Sequence, residues 1–302
     1  MKQIYYVVIL IAMLMSQCTT AKAINSNKDR IITTDTIDFK SFEGIDLQTV
    51  HRVTLHIAPY YRIIYQEEAK DPNTVNIRNN ILYMSYTNSS NTISGKQFLR
   101  NTKDALKCDI YAPSFSKIYA GIACNIESTD TIKSALLTIE TESAAKINLL
   151  VISEALKIYT SSASNVKLKG KSQTLRIEGS SVSNLNLLGF STDQGDIELS
   201  SAASLKGLLI KENAKIEVSS ASKATVYLLE DGQLEASSAA QIKYQAPQAV
   251  YSEHSSLGSV SYTYMSKEDI LDAVSYHGIT VTVTTTRTIG NKTTTMTNKS
   301  TF

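Results

Sequence analysis

Tryptophan is absent from this 302-residue chain, histidine occurs four times and cysteine three times. Each shortage closes a line of chemistry. None of His51, His56, His254 and His277 falls in a recurring position. His254 adjoins Ser255 and Ser256, but neighbouring residues of a strand face opposite sides, so no serine-hydrolase triad is predicted. Cys18 lies in an apolar leader, which leaves only Cys108 and Cys124, and no Cys/His cluster resembles a metal site. A formal charge of +2, with no basic patch interleaved with aromatics, gives no case for nucleic-acid binding. Long apolar runs are lacking too: Ile4 to Met15 is short for a membrane span. Without tryptophan, an aromatic sugar-binding surface would fall to the sixteen tyrosines.

What the chain has is a phrase that recurs about every nineteen residues, Ile-Glu-x-Ser-Ser-Ala-x-x-Ile/Leu-x-Leu. Its second serine, or the equivalent, falls at Ile122, Ser143, Ser162, Ser181, Ser201, Ser220, Ser238 and Ser256. A fixed period this short marks one structural unit stacked on copies of itself. Within each phrase polar and apolar residues alternate with period two, the pattern of a strand. One apolar column reads Ile118, Ile139, Ile158, Ile177, Ile197, Ile216, Leu234; another reads Ile126, Ile147, Val166, Leu185, Leu205, Ala224, Ile242, Val260. A third, Ala123, Ala144, Ala163, Val182, Ala202, Ala221, Ala239, Leu257, is expected to fill a narrow inward corner. A unit this small cannot bury its apolar face alone, and coiling the chain so that each strand pairs with its equivalent one turn on solves this. The prediction is an all-β chain, a β-helix or solenoid of about eight turns, roughly 35–40 Å long at about 4.8 Å per turn. Leucine-rich repeats are disfavoured, because their asparagine or cysteine ladder is missing.

Two serine columns, Ser161 to Ser255 and Ser143 to Ser256, are read as structural ladders whose hydroxyls bond along the rod and to the bends. After the isoleucine column comes an acidic one: Glu140, Glu178, Glu198, Glu217, Glu235 and Glu253. Alternation points these outward, with Lys157, Arg176 and Lys215 two residues before three such slots on the same face. One reading is a solvated, partly paired surface. The sharper reading is a ligand-binding line of carboxylates at Glu178, Glu198, Glu217 and Glu235. The Gly-Asp turns of calcium-binding solenoids are absent, so no metal and no cofactor is predicted.

Residues 1–23 read as a signal peptide, with two competing processing sites: cleavage after Ala21-Lys22-Ala23, or lipidation of Cys18. No transmembrane span is expected after its removal. Residues 24–38 read as a linker, 39–115 as a β-rich N-terminal cap of hairpins, 116–265 as the repeats, and 266–302 as a C-terminal cap or partly disordered threonine-rich tail. Lys267 to Tyr276 carries a weak helical pattern, and Ile279 to Thr297 reads as a hairpin. Cys108 and Cys124 are a candidate disulfide in an oxidising compartment or, alternatively, two buried thiols.

The run LKCDIYAPSFSKIYAGIACNI, with Pro113 and Gly121 to Ile126, resembles the approach to the repeats in the "putative auto-transporter adhesin, head GIN domain" family, exported proteins common in Bacteroidetes. The run FKSFEGIDLQTVHRVTLHIAPYYRIIYQEE, with Phe42, Gly44 and Ile45, is similar to that family's opening. The resemblance spans about residues 39 to 265 and implies a right-handed single-stranded β-helix with no known catalytic residues. Where the family often has glycine, this chain has the second serine of Ser-Ser-Ala, and the family's aspartate is replaced at Asn125, Asn165 and Asn184. The function expected is a non-enzymatic exported cell-envelope protein, adhesin-like, with a glycan or protein partner. The alternatives are a polysaccharide-processing β-helix enzyme, and a structural component that stacks end to end or forms homo-oligomers.

Overall fold

The structure is a computed structural model in which residues 33–48, 51–67, 73–86, 106–275, 282–289 and 292–299 are described. It is nearly all-β, and the expected β-solenoid of about eight turns is present. Its middle consists of β9 (Asn125–Thr141), β10 (Lys146–Thr160), β11 (Asn165–Gly179), β12 (Asn184–Leu199) and β13 (Ser204–Val218). Each winds almost once around the rod and pairs in parallel with the next, so that Ile139, Ile158, Ile177, Ile197 and Ile216 are successive partners. All five are fully buried, each contributing roughly 1.5–3 kcal/mol. The last turns are carried by shorter strands: β14 (Lys223–Leu228), β15 (Asp231–Ala236), β16 (Gln241–Ala246), β17 (Tyr251–His254) and β18 (Ser259–Tyr264).

The corners differ from the expectation. In Ser180–Ser183 the Ser183 N–H donates to the Ser180 carbonyl at 3.2 Å, and the two central residues, Ser181 and Val182, have φ of +53° and +66°. Left-handed backbone at both central positions belongs to the type I′ turn, normally Asn-Gly. Here it is built six times from Ser-Ala or Ser-Val and once from Ser-Leu. Two left-handed residues rotate the chain so that the alternation slips by one position. The column of Ala144 to Leu257, expected inside, therefore faces solvent, with Val182 58% and Leu257 91% exposed. The buried corner slot is the next residue, filled by Ala145, Ser164, Ser183, Ala203, Ser222 and Ala240. The hydroxyl pairs lie there too: Thr141 donates to Ser164 and Thr160 to Ser183, both at 2.9 Å. At the exposed serines it is the backbone that forms the ladder. The Ala163 N–H donates to the Ser181 carbonyl and the Val182 N–H to the Ser201 carbonyl, each at 3.0 Å.

The N-terminal strands are β1 (Thr33–Phe39), β2 (Gly44–Leu47), β3 (His51–Ile57), β4 (Tyr61–Glu67), β5 (Asn73–Arg78), β6 (Ile81–Tyr86), β7 (Leu106–Ala112) and β8 (Lys117–Ala120). β1 begins inside the stretch read as linker. Only part of this region is hairpin. One side of the rod runs β5–β6–β2–β8–β9 and the other β1–β4–β7–β3–β9. Thus β6 and β7 form the outermost turn and β2 and β3 the next one in, and the chain lays down the second turn before the first. The end is closed by antiparallel strands, β5 on β6 and β4 on β7, and plugged by Phe42, Ile63, Met84 and Phe115, all at most 1% exposed.

At the other end, α1 (Lys267–Ser275) packs on the flank of the rod rather than across its tip. Ile270 is fully buried with Leu209, beside Tyr227, Leu229 and Met265. Ser266 caps this helix by accepting the Asp269 N–H at 3.1 Å. β19 (Thr282–Ile289) and β20 (Lys292–Lys299) pair antiparallel.

Because Val182 makes its turn exposed and left-handed, Val182→Gly relieves roughly 1–2 kcal/mol of backbone strain against a smaller rise in unfolded-chain entropy. The expected outcome is a net gain of up to about 1 kcal/mol, read as a higher urea midpoint. An unchanged or lower midpoint would show that the ladder, not the residue, sets the strain.

Candidate functional groove

Because each rung repeats the last in register, a residue that faces outward does so on every rung. Glu178, Glu198, Glu217, Glu235 and Glu253 are consecutive partners down one face, about 4.8 Å apart at the backbone. Tyr159 takes the rung before Glu178, and Glu140 the one before that. With the first serine of each turn, such as Ser180, Ser200 and Ser219, these side chains line an open groove of about 620 Å³. It brings together all four glutamates singled out from the sequence.

Such a stack of like charges is held by cations beside it. The Arg176 guanidinium reaches Glu178 at 2.9 Å and Glu198 at 3.6 Å, and also pairs with Asp196. Lys215 pairs with Glu217 at 2.7 Å and Lys117 with Glu140 at 2.9 Å. The hydrogen bond to Glu178, then the charge of Asp196, holds Arg176 above its ordinary range. The hydrogen bond to Glu217 does the same for Lys215. Among the described residues no cation pairs with Glu235 or Glu253, so the negative potential is least relieved at those two rungs. Arg176 and Lys215 also border a second groove of about 710 Å³, lined by Gln194, Asn213 and Gln233.

At the N-terminal end of the acidic groove the Tyr119 hydroxyl donates to Glu142 at 3.1 Å. Burial, and then that hydrogen bond, pushes its phenol up to about 12. Cys108 and Cys124 are both buried and are not joined by a disulfide. Burial pushes the Cys108 thiol far up, which leaves it a core residue rather than a nucleophile. Among the described residues no group of three or more His, Cys, Asp or Glu could hold a metal ion, and no helix is long and apolar enough to cross a membrane. Cys18, the signal segment 1–23 and His277 lie outside the described residues.

Sequence reasoning missed one polar cluster. His56 Nε2 lies 3.0 Å from Asp109 and His56 Nδ1 3.2 Å from Thr129 Oγ1, while the ring stacks on Tyr111 at 4.5 Å. These residues are far apart in sequence and meet because β3 sits between β7 and β9. No linear spacing could have announced it.

Arg176→Met is expected to lower the melting temperature at low salt, with the difference shrinking as salt screens the glutamates. An equal loss at all salt concentrations would assign Arg176 a packing role instead. Tyr119 binds its proton more tightly folded than unfolded. Its contribution is whole below pH 10, the ordinary tyrosine value, and is lost as pH rises towards about 12. Tyr119→Phe should therefore flatten the decline of stability across that window, followed by urea denaturation at graded pH.

No curated protein matches the chain. The fold is shared with solved structures. One is a "putative adhesin" from Parabacteroides merdae, 15% identical, covering 77% of this chain and 96% of that one, at a TM-score of 0.66. Another is a "putative adhesin" from Parabacteroides distasonis, 12% identical, covering 78% and 98%, at 0.68. A third, from the same species, is described as a "putative lipid binding protein", 12% identical, covering 76% and 97%, at 0.62. Residues 41–228, well over half the chain, match the family model "Putative auto-transporter adhesin, head GIN domain", and the chain belongs to that family.

Proposed function

We propose that this chain is a non-enzymatic, exported cell-envelope protein, adhesin-like, that presents its solenoid surface to a glycan or protein partner, with Glu178, Glu198, Glu217 and Glu235 forming the contact line. The observation that carries this reading is the open groove in which those carboxylates recur at every rung. A groove of one charge sign and uniform spacing suits an extended ligand that offers amines or hydroxyl donors along its length. The family and the adhesin-like neighbours support the role, and the signal-like leader supports export.

One observation speaks for the enzymatic alternative: Arg176 stands among Glu178, Asp196 and Glu198 at a groove, several carboxylates with a cationic side chain. Glycoside cleavage needs one carboxyl that keeps its proton to give to the leaving oxygen. Here the Arg176 guanidinium spans all three carboxylates, so none stands apart from its counter-charge to face a leaving oxygen, and the cluster serves charge balance better than acid catalysis.

The test is a glycan array probed with residues 24–302, alongside Glu198→Lys/Glu217→Lys. Saturable binding to a defined glycan, weakened by the charge reversal, is the expected result. No glycan signal would remove the carbohydrate branch and leave a protein partner, and cleavage products from any bound glycan would overturn the non-enzymatic reading.

A further inference from the structure

The opposite charge is collected on another side of the rod. From β10 onward the first segment of each rung, residues 146–149, 165–168, 184–187, 204–206, 223–226 and 241–246, contains no aspartate or glutamate, whereas the rung before carries Glu127. Its outward residues are lysines set among amides and hydroxyls. In one column Lys167, Lys206 and Lys243 stand on alternate rungs, Asn186 and Thr225 fill the two rungs between, and Asn148 takes the rung before Lys167. All three lysines are exposed, and among the described residues none forms an ion pair. The neighbouring column adds Lys146 and Lys223. Much of the acidic ladder carries counter-ions beside it; among the described residues these lysines pair with no carboxylate, and the column meets an acidic residue only at its N-terminal end, at Glu127.

The spacing narrows what could supply them. Alternate rungs lie roughly 9.6 Å apart, and Lys167 to Lys243 spans about 19 Å. A second copy of the chain fits poorly, because its glutamates from Glu178 to Glu253 recur on every rung rather than every second one. A polymer with one negative charge per two units matches the period, and the intervening Asn186 and Thr225 suit the hydroxyls of the uncharged unit. We propose that this face binds an extended acidic polysaccharide in which every second sugar carries a carboxylate. The inference rests on the binding role set out above but uses a different face from the glutamate groove.

The experiment is calorimetric titration of residues 24–302 with a hyaluronan hexasaccharide, which presents three carboxylates on alternate sugars. Saturable binding that weakens with salt is expected. Lys167→Gln/Lys206→Gln/Lys243→Gln should weaken it by about tenfold or more, since three exposed charge contacts are lost. Arginine at the same positions should keep it, and Glu198→Gln/Glu217→Gln should leave it unchanged. Unaltered melting of the lysine variants shows that they fold, and arginine rescue tests the charge if the glutamine variant does not. Equal or tighter binding of an oligogalacturonate, charged on every sugar, would overturn the spacing. So would binding that neutral dextran reproduces, or no hyaluronan binding at low salt. Salt-sensitive self-association abolished by the lysine changes, without polysaccharide binding, would replace the proposal with pairing between copies. Loss of hyaluronan binding in the glutamate variant alone would return the site to the acidic groove.

Discussion

Parallel stacking in register is the constraint from which the rest of this structure follows. Each rung donates and accepts backbone hydrogen bonds along its length, so a residue at one position sits directly over its equivalent on the next rung. Whatever a rung does once, the rod does repeatedly. An isoleucine becomes a continuous core, and a glutamate becomes a line of carboxylates. The same constraint explains how the corners tolerate Ser-Ala and even Ser-Val where a hairpin would demand Asn-Gly. A left-handed residue costs roughly 1–2 kcal/mol in isolation. Here the N–H groups of those residues are bonded to the neighbouring corners, so leaving the conformation would break a ladder as well as a turn.

Stacking also sets limits on charge. Carboxylates on consecutive rungs repel one another, and the chain answers by placing Arg176 and Lys215 one outward position away. The lysines of the opposite segment are handled differently, with uncharged residues between them on alternate rungs. These are two solutions to one electrostatic problem. Pairing within the chain leaves a groove that is partly neutral, whereas dilution leaves a face whose charge is available to something else.

Most of the architecture was legible because it is periodic. The isoleucine column, the outward glutamates and the number of turns all follow from one repeated phrase, and the four glutamates named from that phrase share one groove. What was not legible depends on φ or on long-range order. The corner alanines were read as buried because strict alternation was carried through the bend, and Ser181 and Val182 show that the bend consumes one step of the alternation. The order of the first two turns was hidden because β2 and β3 lack the repeat phrase, and two equally short strand segments can be stacked either way. The His56, Asp109 and Thr129 cluster inherits that ambiguity, since it exists only in the order observed. The alternation of Lys167, Lys206 and Lys243 was present in the sequence, but it has meaning only once the register shows that they share a column.

A rod built by repetition carries no internal signal to stop, so its two ends need separate devices. At the N-terminal end the chain reverses direction: β4 and β5 run antiparallel to their neighbours, which breaks the parallel pattern, and large side chains such as Phe42 and Phe115 fill the opening. At the C-terminal end the pattern decays instead. The inward slots of β17 hold Ser252 and His254 where the rung before holds Leu234 and Ala236, and the core ends on Tyr244, which packs against Tyr262 at 5.2 Å. The Tyr244 hydroxyl accepts the Val250 N–H at 3.3 Å, so this last large side chain ends in a polar contact rather than in an apolar surface awaiting another rung. An aromatic ring with a hydroxyl meets both requirements at a terminus, covering the isoleucine stack below and tolerating water above. That substitution of polar for apolar residues at inward positions is how the sequence marks where the repeat is finished.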